Sequence, residues 1–208
     1  MDRSWSTTRA KGRANLRRIY GPLSLDVSGR IILDLCGGTG AWSCRYAWAG
    51  YDVRIIDPMC GTGDVRTYRL PMEKIHGILA APPCTVYSLA RIKPVTEAEL
   101  IAAQSVVDAC IRIIFAANPA WWALENPRGR LIQYLGRPAL SFNPCDYGDP
   151  WTKRTFIWGR FNPPERRPVP VVTRNFIQKV CPSGGLSVAQ IRAITPPHFA
   201  KAFFEANP

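Results

Sequence analysis

An open, mostly parallel α/β sheet with helices on both faces is the fold class this sequence predicts. Three observations predict it. Short apolar runs of strand length alternate with helical stretches between residues 30 and 160. The first run stops at a Gly-rich turn, and strand, turn, helix and second strand follow within about thirty residues, as in a βαβ unit. Polar side chains stand at the C-terminal ends of the apolar runs, where such sheets place their ligands.

The elements follow in order. Arg30-Ile31-Ile32-Leu33-Asp34-Leu35 is apolar throughout and stops at Gly37-Gly38, so it reads as a buried parallel strand. Ala41 to Gly50 carries Trp42, Tyr46 and Ala49 at helical spacing. Tyr51 to Pro58 is a second strand, closed by its proline, and Ile75 to Ala80 is a third. Glu97 to Asn118 is the clearest helix, with Leu100, Val107, Ile111 and Ile114 as its apolar stripe. Trp121 to Pro127 is a fourth strand, whose two tryptophans must face opposite sides. Arg154 to Gly159 is expected as a fifth strand of the same sheet. Residues 162–172 are Pro-rich and irregular, and a loop surrounds Pro182-Ser183-Gly184-Gly185. Pro196-Pro197 starts a last helix from His198 to Ala206.

At 208 residues and 47% hydrophobic content, one globular domain spanning 1–208 is expected. No apolar run of about 18 residues is evident for a membrane span, and the start lacks the apolar stretch of a secretory signal. The net charge of +12 calls for a polyanionic partner. Residues 1–29 are expected as a basic arm, whose first twenty residues carry Arg3, Arg9, Lys11, Arg13, Arg17 and Arg18 against a single acid, Asp2; it is either simply solvated or a phosphate contact. Seven cysteines, an odd number without a CxxC pair, argue against a disulfide framework and a structural zinc site. A reducing cytoplasmic compartment fits.

Gly37, Gly38 and Gly40 form a G-G-x-G turn after a strand, and Asp57 closes the next strand, where an acid can bond ribose hydroxyls. Neither a dinucleotide GxGxxG nor a P-loop Lys is present, so a nucleoside ligand without a triphosphate is inferred. Cys84 follows Pro82-Pro83 at a strand end, which suggests a rigid, exposed thiol nucleophile; the alternative is a small buried hydrophobe. Cys36, Cys44, Cys60, Cys110 and Cys181 are read as such hydrophobes. Glu125 closes an apolar strand, either as an exposed turn residue or as a carboxyl whose pKa burial raises. Lys153 and Arg154 are a solvated pair or a substrate contact, and His198 is read as a helix-start residue.

Together these segments resemble the DNA cytosine-5 methyltransferases. Asp34-Leu35-Cys36-Gly37-Gly38-Thr39-Gly40 looks like the family's D-L-F-x-G-x-G cofactor loop, with Cys36 in place of phenylalanine. Asp57-Pro58 and Gly63-Asp64-Val65 resemble its acidic cofactor segments. Pro83-Cys84-Thr85-Val86-Tyr87-Ser88 matches P-C-x-x-x-S, Glu125-Asn126 matches the E-N pair, and Arg154 aligns with the second arginine of Q-x-R-x-R. The resemblance covers residues 30–160 and implies a Rossmann-like S-adenosylmethionine-dependent methyltransferase fold. It implies the cofactor on residues 34–40, Asp57, Pro58, Asp64 and Pro83, with S-adenosylhomocysteine as product. A flipped cytosine would meet Cys84 at C6, Glu125 at N3 and Arg154 at O2. Ser88, Asn126, Lys153, Arg166 and Arg167 are the expected DNA-side residues.

The family's sizeable target-recognition region is reduced here to residues 161–190, which include Arg174 and Lys179. So short a region implies a relaxed target sequence and binding dominated by phosphates. A compact enzyme of this kind suits a phage or prophage. A monomer acting on double-stranded DNA, with no metal and no membrane, is the expectation. RNA cytosine methylation and a catalytically silent nucleic-acid-binding protein on the same fold are the alternatives.

Overall fold

The structure is a computed structural model that describes residues 26–89, 91–172, 191 and 193–208. Most of the expected basic arm, residues 173–190 of the expected recognition region, Cys181 and the loop at Pro182–Gly185 lie outside the described residues.

Among the described residues six strands form one sheet: β1 (Ile31–Leu35), β2 (Asp52–Ile56), β3 (Ile75–Ala80), β4 (Trp121–Pro127), β5 (Leu140–Phe142) and β6 (Thr155–Arg160). Their order is β2-β1-β3-β4-β6-β5. Among the described residues the helices are α1 (Cys44–Ala49), α2 (Glu97–Ala117), α3 (Ile132–Leu135) and α4 (Pro197–Ala206), with 3₁₀ turns at Pro58–Cys60 and Pro144–Asp146.

The first four strands are parallel in the order β2-β1-β3-β4. β6 runs antiparallel to β4, and β5 antiparallel to β6. The sheet is therefore mixed, which corrects the expectation of a mostly parallel one. The reason is the connection. A parallel return needs a crossover of a dozen or more residues, usually helical. Between β4 and β6 the described elements are the four-residue α3, the three-residue β5 and a 3₁₀ turn. None can carry the chain back along the sheet, so it turns at the edge where β4 ends and descends as β6.

Alternate residues of each strand enter two cores. Ile31, Leu33 and Leu35 pack with Val107, Cys110, Ile113 and Ile114 of α2 on one face. Ile32, Leu79 and Trp121 pack with Trp42, Tyr46, Phe199 and Phe203 on the other, under α1 and α4. Trp121 and Trp122 lie on opposite faces, as strand geometry requires. The second core is aromatic: Phe142 stacks on Phe199 at 4.0 Å, and Tyr46 meets Tyr51 edge-on at 5.4 Å. The buried Tyr46 hydroxyl donates to the Asn207 carbonyl at 2.9 Å, tying α1 to the end of α4.

Thr96 and Glu99 close α2 with a reciprocal capping box, and Asn118 ends it in a left-handed conformation. Contrary to the expectation from the apolar runs, this 21-residue helix is long and apolar enough to cross a membrane. Its buried stripe on the sheet accounts for only part of that composition, since Ile101 and Phe115 are exposed.

Because β1 lies between β2 and β3, with α1 on one face and α2 on the other, a crevice opens at the C-terminal ends of β1 and β3. The loops after β1, β2, β3 and β4 meet along this edge.

Candidate active site

The turn after β1 is built over a buried acid. Asp34 is 1% exposed and lies beneath Gly37, where an added Cβ would come within 2.4 Å of its carboxyl carbon. Only glycine fits there. The Ser43 hydroxyl donates to Asp34 Oδ2 at 2.5 Å, while Oδ1 is buried without a partner among the described residues. Loss of hydration pushes the Asp34 carboxyl up to about 7, against the Ser43 hydrogen bond and with a smaller push from Asp57. Leu35 is buried in the core. Cys36 takes a left-handed φ of 57° and packs toward α2, where a hydrogen bond with Cys110 and burial drive its thiol pKa far upward.

The turn is laced to the end of β2. Gly38 N–H donates to Asp57 Oδ2 at 2.9 Å, and the Cys60 thiol donates to the Gly38 carbonyl at 2.8 Å. Asp57 Oδ1 accepts from Met59 N–H at 2.8 Å, capping the 3₁₀ turn that Pro58 begins. Cys60 is exposed, which corrects its reading as a buried hydrophobe: its sulfur serves this loop-to-loop bond. Cys36 and Cys44 are half-buried, and Cys110 is buried. Thr39 is exposed above the turn, and Gly40 is buried beneath it. Asp64 is held by Arg66 through several hydrogen bonds, which keep its carboxyl below the usual range.

The turn after β3 carries Cys84 and is anchored from three sides. Pro83 is exposed and Cys84 half-buried, its carbonyl accepting the N–H groups of Tyr87 at 3.0 Å and Ser88 at 2.8 Å. Asn126, fully buried in β4, donates its amide to the Pro82 carbonyl at 2.9 Å. Ser88 bridges Gly129 in antiparallel fashion, and Arg130 N–H donates to the Tyr87 carbonyl at 2.8 Å. A Cβ at Gly129 would stand 2.1 Å from that same oxygen, so the approach requires glycine. The Tyr87 hydroxyl reaches Gln104 of α2 at 3.2 Å.

Glu125 stands one residue before Asn126, with its side chain 15% exposed. Burial raises its pKa and the Lys153 ammonium, 3.8 Å from Oε1, opposes the rise. Lys153 thus faces Glu125. Arg154 is exposed and joined to the next turn by Arg128 N–H, which donates to its carbonyl at 2.8 Å.

The fold therefore brings Asp34, the glycine turn, Asp57, Cys84, Ser88, Glu125, Asn126, Lys153 and Arg154 to one sheet edge. Arg166 and Arg167 stand apart beside β5. Arg166 donates to the Ser141 carbonyl at 3.1 Å and lies 3.6 Å from Asp146, while Arg167 pairs with Glu165 at 3.0 Å. His198 begins α4 and is held through its backbone N–H and Nδ1 by the buried Asp149. Among the described residues no group of three or more His, Cys, Asp or Glu is placed to hold a metal ion. Sequence reasoning missed Ser43, Gly129, Arg128 and Arg130. Of these only Gly129, in a Pro-Arg-Gly turn, carries a local signal.

No protein-family model matches the chain, and no curated protein does. Among solved structures it is similar to a prophage-encoded E. coli protein described as a DNA modification methyltransferase, at 17% identity and a TM-score of 0.45, over 63% of this chain and 46% of that one. It is also similar to the Entamoeba histolytica methyltransferase EhMeth, at 10% identity and a TM-score of 0.39, over 70% and 57% of the two chains. The chain spans about half the length of these structures. Likeness at this level assigns no function.

Proposed function

We propose that this chain is an S-adenosylmethionine-dependent DNA cytosine-5 methyltransferase. One observation carries the reading. The Cys84 turn is tied through Asn126–Pro82 and Ser88–Gly129 to the strand end that bears Glu125, a largely buried carboxyl with a raised pKa. A core fold has no need to fasten the turn of a half-buried thiol to a strand end that carries a carboxyl costly to desolvate. A nucleophile and a proton donor that must act on one small ring have that need.

The residues present suit a nucleoside cofactor. Gly38 leaves the turn open, since a Cβ there would meet nothing nearer than Asp57 Oδ2 at 4.0 Å, and Thr39 and Met59 are exposed at its rim. Asp57 accepts one backbone N–H on each oxygen, and each oxygen keeps a second lone pair for a ribose hydroxyl. Gly37 to Gly40, Asp57, Pro58, Asp64 and Pro83 would hold the cofactor. When bound, S-adenosylmethionine supplies the methyl group that C5 of the base takes up.

The chain's own residues do the rest. The target base leaves the stack, since C6 cannot be attacked within it. Cys84 adds as a thiolate to C6. Glu125, whose pKa burial raises, donates a proton to N3 so that the electron pair displaced by the thiolate is stabilised as an enamine. Arg154 would stabilise charge at O2. After C5 is methylated it loses its proton, and the C6–S bond breaks to return the thiolate.

Duplex DNA containing 5-fluorocytosine tests the reading, because fluorine at C5 prevents the final elimination. With labelled S-adenosylmethionine, a covalent protein–DNA adduct is expected, and Cys84→Ser abolishes it. A Cys84→Ser variant with full methyl transfer defeats the proposal. An adduct formed with RNA and not with DNA moves the same chemistry to the other polymer.

A further inference from the structure

Helix α2 has two faces. One packs on the sheet through Val107, Cys110, Ile113 and Ile114. The other is turned away from the sheet, yet it is not the polar face that such a helix ordinarily offers to water. Ile101 is 63% exposed and Phe115 73%, and only 28% of the helix's most apolar 18-residue stretch is buried. Ile101, Ser105, Asp108, Arg112 and Phe115 follow one another at intervals of four, three, four and three residues. That spacing sets them along one seam, with the small Ala102 beside it.

The seam is apolar at both ends and charged in the middle. Asp108 accepts from the Gln104 side-chain amide at 2.9 Å, and the Arg112 guanidinium donates to the Val65 carbonyl at 3.1 Å. Each bond orients a charge, and since both partners are neutral, neither cancels it. An acid and a base four residues apart, between two large apolar groups, form a pattern that is its own complement. In an antiparallel pair of α2 helices centred at the level of Cys110, Asp108 of each copy stands opposite Arg112 of the other. Phe115 then stands opposite Ser105, beside Ile101 and Ala102. A parallel pair would set Asp108 against Asp108 and Arg112 against Arg112, which like charges disfavour. Two other occupants fit less well. A lipid surface takes an apolar face with the charges kept to the opposite side, whereas here they lie in its middle, and Glu97 and Glu99 open the helix. Residues 1–25 join the described chain at Asp26, beside Val27, which packs under α1 and α4 on the far face of the sheet.

We propose that the outer face of α2 is a self-association surface, on which two copies of this chain pair with their α2 helices antiparallel, in place of the monomer expected from the sequence. One helix face about 30 Å long makes a small interface, so the pair is a micromolar dimer and not an obligate one. The proposal goes beyond the methyltransferase reading and does not depend on it.

Sedimentation velocity of the full chain, from about 1 to about 100 µM, tests this. Wild-type protein should pass from monomer to dimer across that range, and Phe115→Ala should weaken the dimer about tenfold. Asp108→Arg and Arg112→Asp should each stay monomeric, because each sets like charges opposite one another. An equimolar mixture of these two variants should dimerise again, since every facing pair then carries opposite charges. A merely structural role of either residue does not produce that rescue. All three side chains are exposed, so each variant should keep the wild-type thermal melt at monomer concentrations. Wild-type protein that stays monomeric throughout, single charge reversals that still pair, or a mixture that remains monomeric overturns the proposal. Monomeric protein that floats with vesicles of phosphatidylglycerol and phosphatidylcholine also overturns it, and gives the face to a lipid surface.

Discussion

Asp34 carries an electrostatic cost within the site. Its carboxyl ordinarily titrates at 3.8 and in the fold at about 7. Between those values the folded chain binds a proton that the unfolded chain has released, so stability falls as pH rises through the window. Asp34→Asn cannot ionise. It should match wild type in urea unfolding near pH 4 and exceed it at pH 8, by on the order of 3 kcal/mol. Parallel pH profiles for the two proteins would refute this account. Lys153 offers the second residue-scale prediction. Its ammonium opposes the rise of the Glu125 pKa, so Lys153→Met lets that pKa climb further. If protonated Glu125 is the active form, the falling alkaline limb of kcat/KM moves to higher pH. An unmoved limb separates Glu125 from that titration.

At the scale of elements, the seam between the turns after β3 and β4 decides whether Cys84 is positioned. Gly129→Ala forces a Cβ against the Tyr87 carbonyl and should open the Ser88–Gly129 bridge. The expected cost is roughly 1–3 kcal/mol in chemical denaturation. Hydrogen exchange at the Arg130 amide should accelerate, because its acceptor is that same oxygen. Asn126→Ala should leave the strand paired but free the Pro82 carbonyl, lowering kcat more than it raises KM. Strands β1 to β4 and helix α2 were legible within a residue or two at each end, since continuous apolar runs and a 3.6-residue stripe report burial directly. β5 was not legible. Leu140-Ser141-Phe142 is too short to show a period, and only pairing with β6 makes it a strand. The direction of β6 was equally hidden, because a strand's own sequence does not record which way its neighbour runs.

For the whole molecule, charge and closure matter most. The chain carries 27 basic and 15 acidic residues, and several exposed arginines stand on the same sheet edge as Cys84. Duplex affinity should therefore fall by about three orders of magnitude between 50 and 200 mM salt if some six phosphates are contacted. A shallow dependence, measured by fluorescence anisotropy, would mean that phosphates are not the main contacts. Arg166 and Arg167 should contribute less than Arg128 and Arg130, since their charges are already shared with Asp146 and Glu165. The sequence by itself determined which segments form the parallel strands and the long helix, and that the glycine turn, Cys84 and Glu125 all stand at strand ends. These properties depend on near neighbours: burial of a run, a turn that only glycine permits, a proline that stops a strand. Only the tertiary structure decided that the sheet is mixed, that Asp57 is laced to Gly38, that Lys153 faces Glu125, and that Asn126 holds the Pro82 carbonyl across 44 residues of chain. Such contacts exist only once the whole sheet has closed, because each partner is brought to the other by strands whose pairing neither segment encodes.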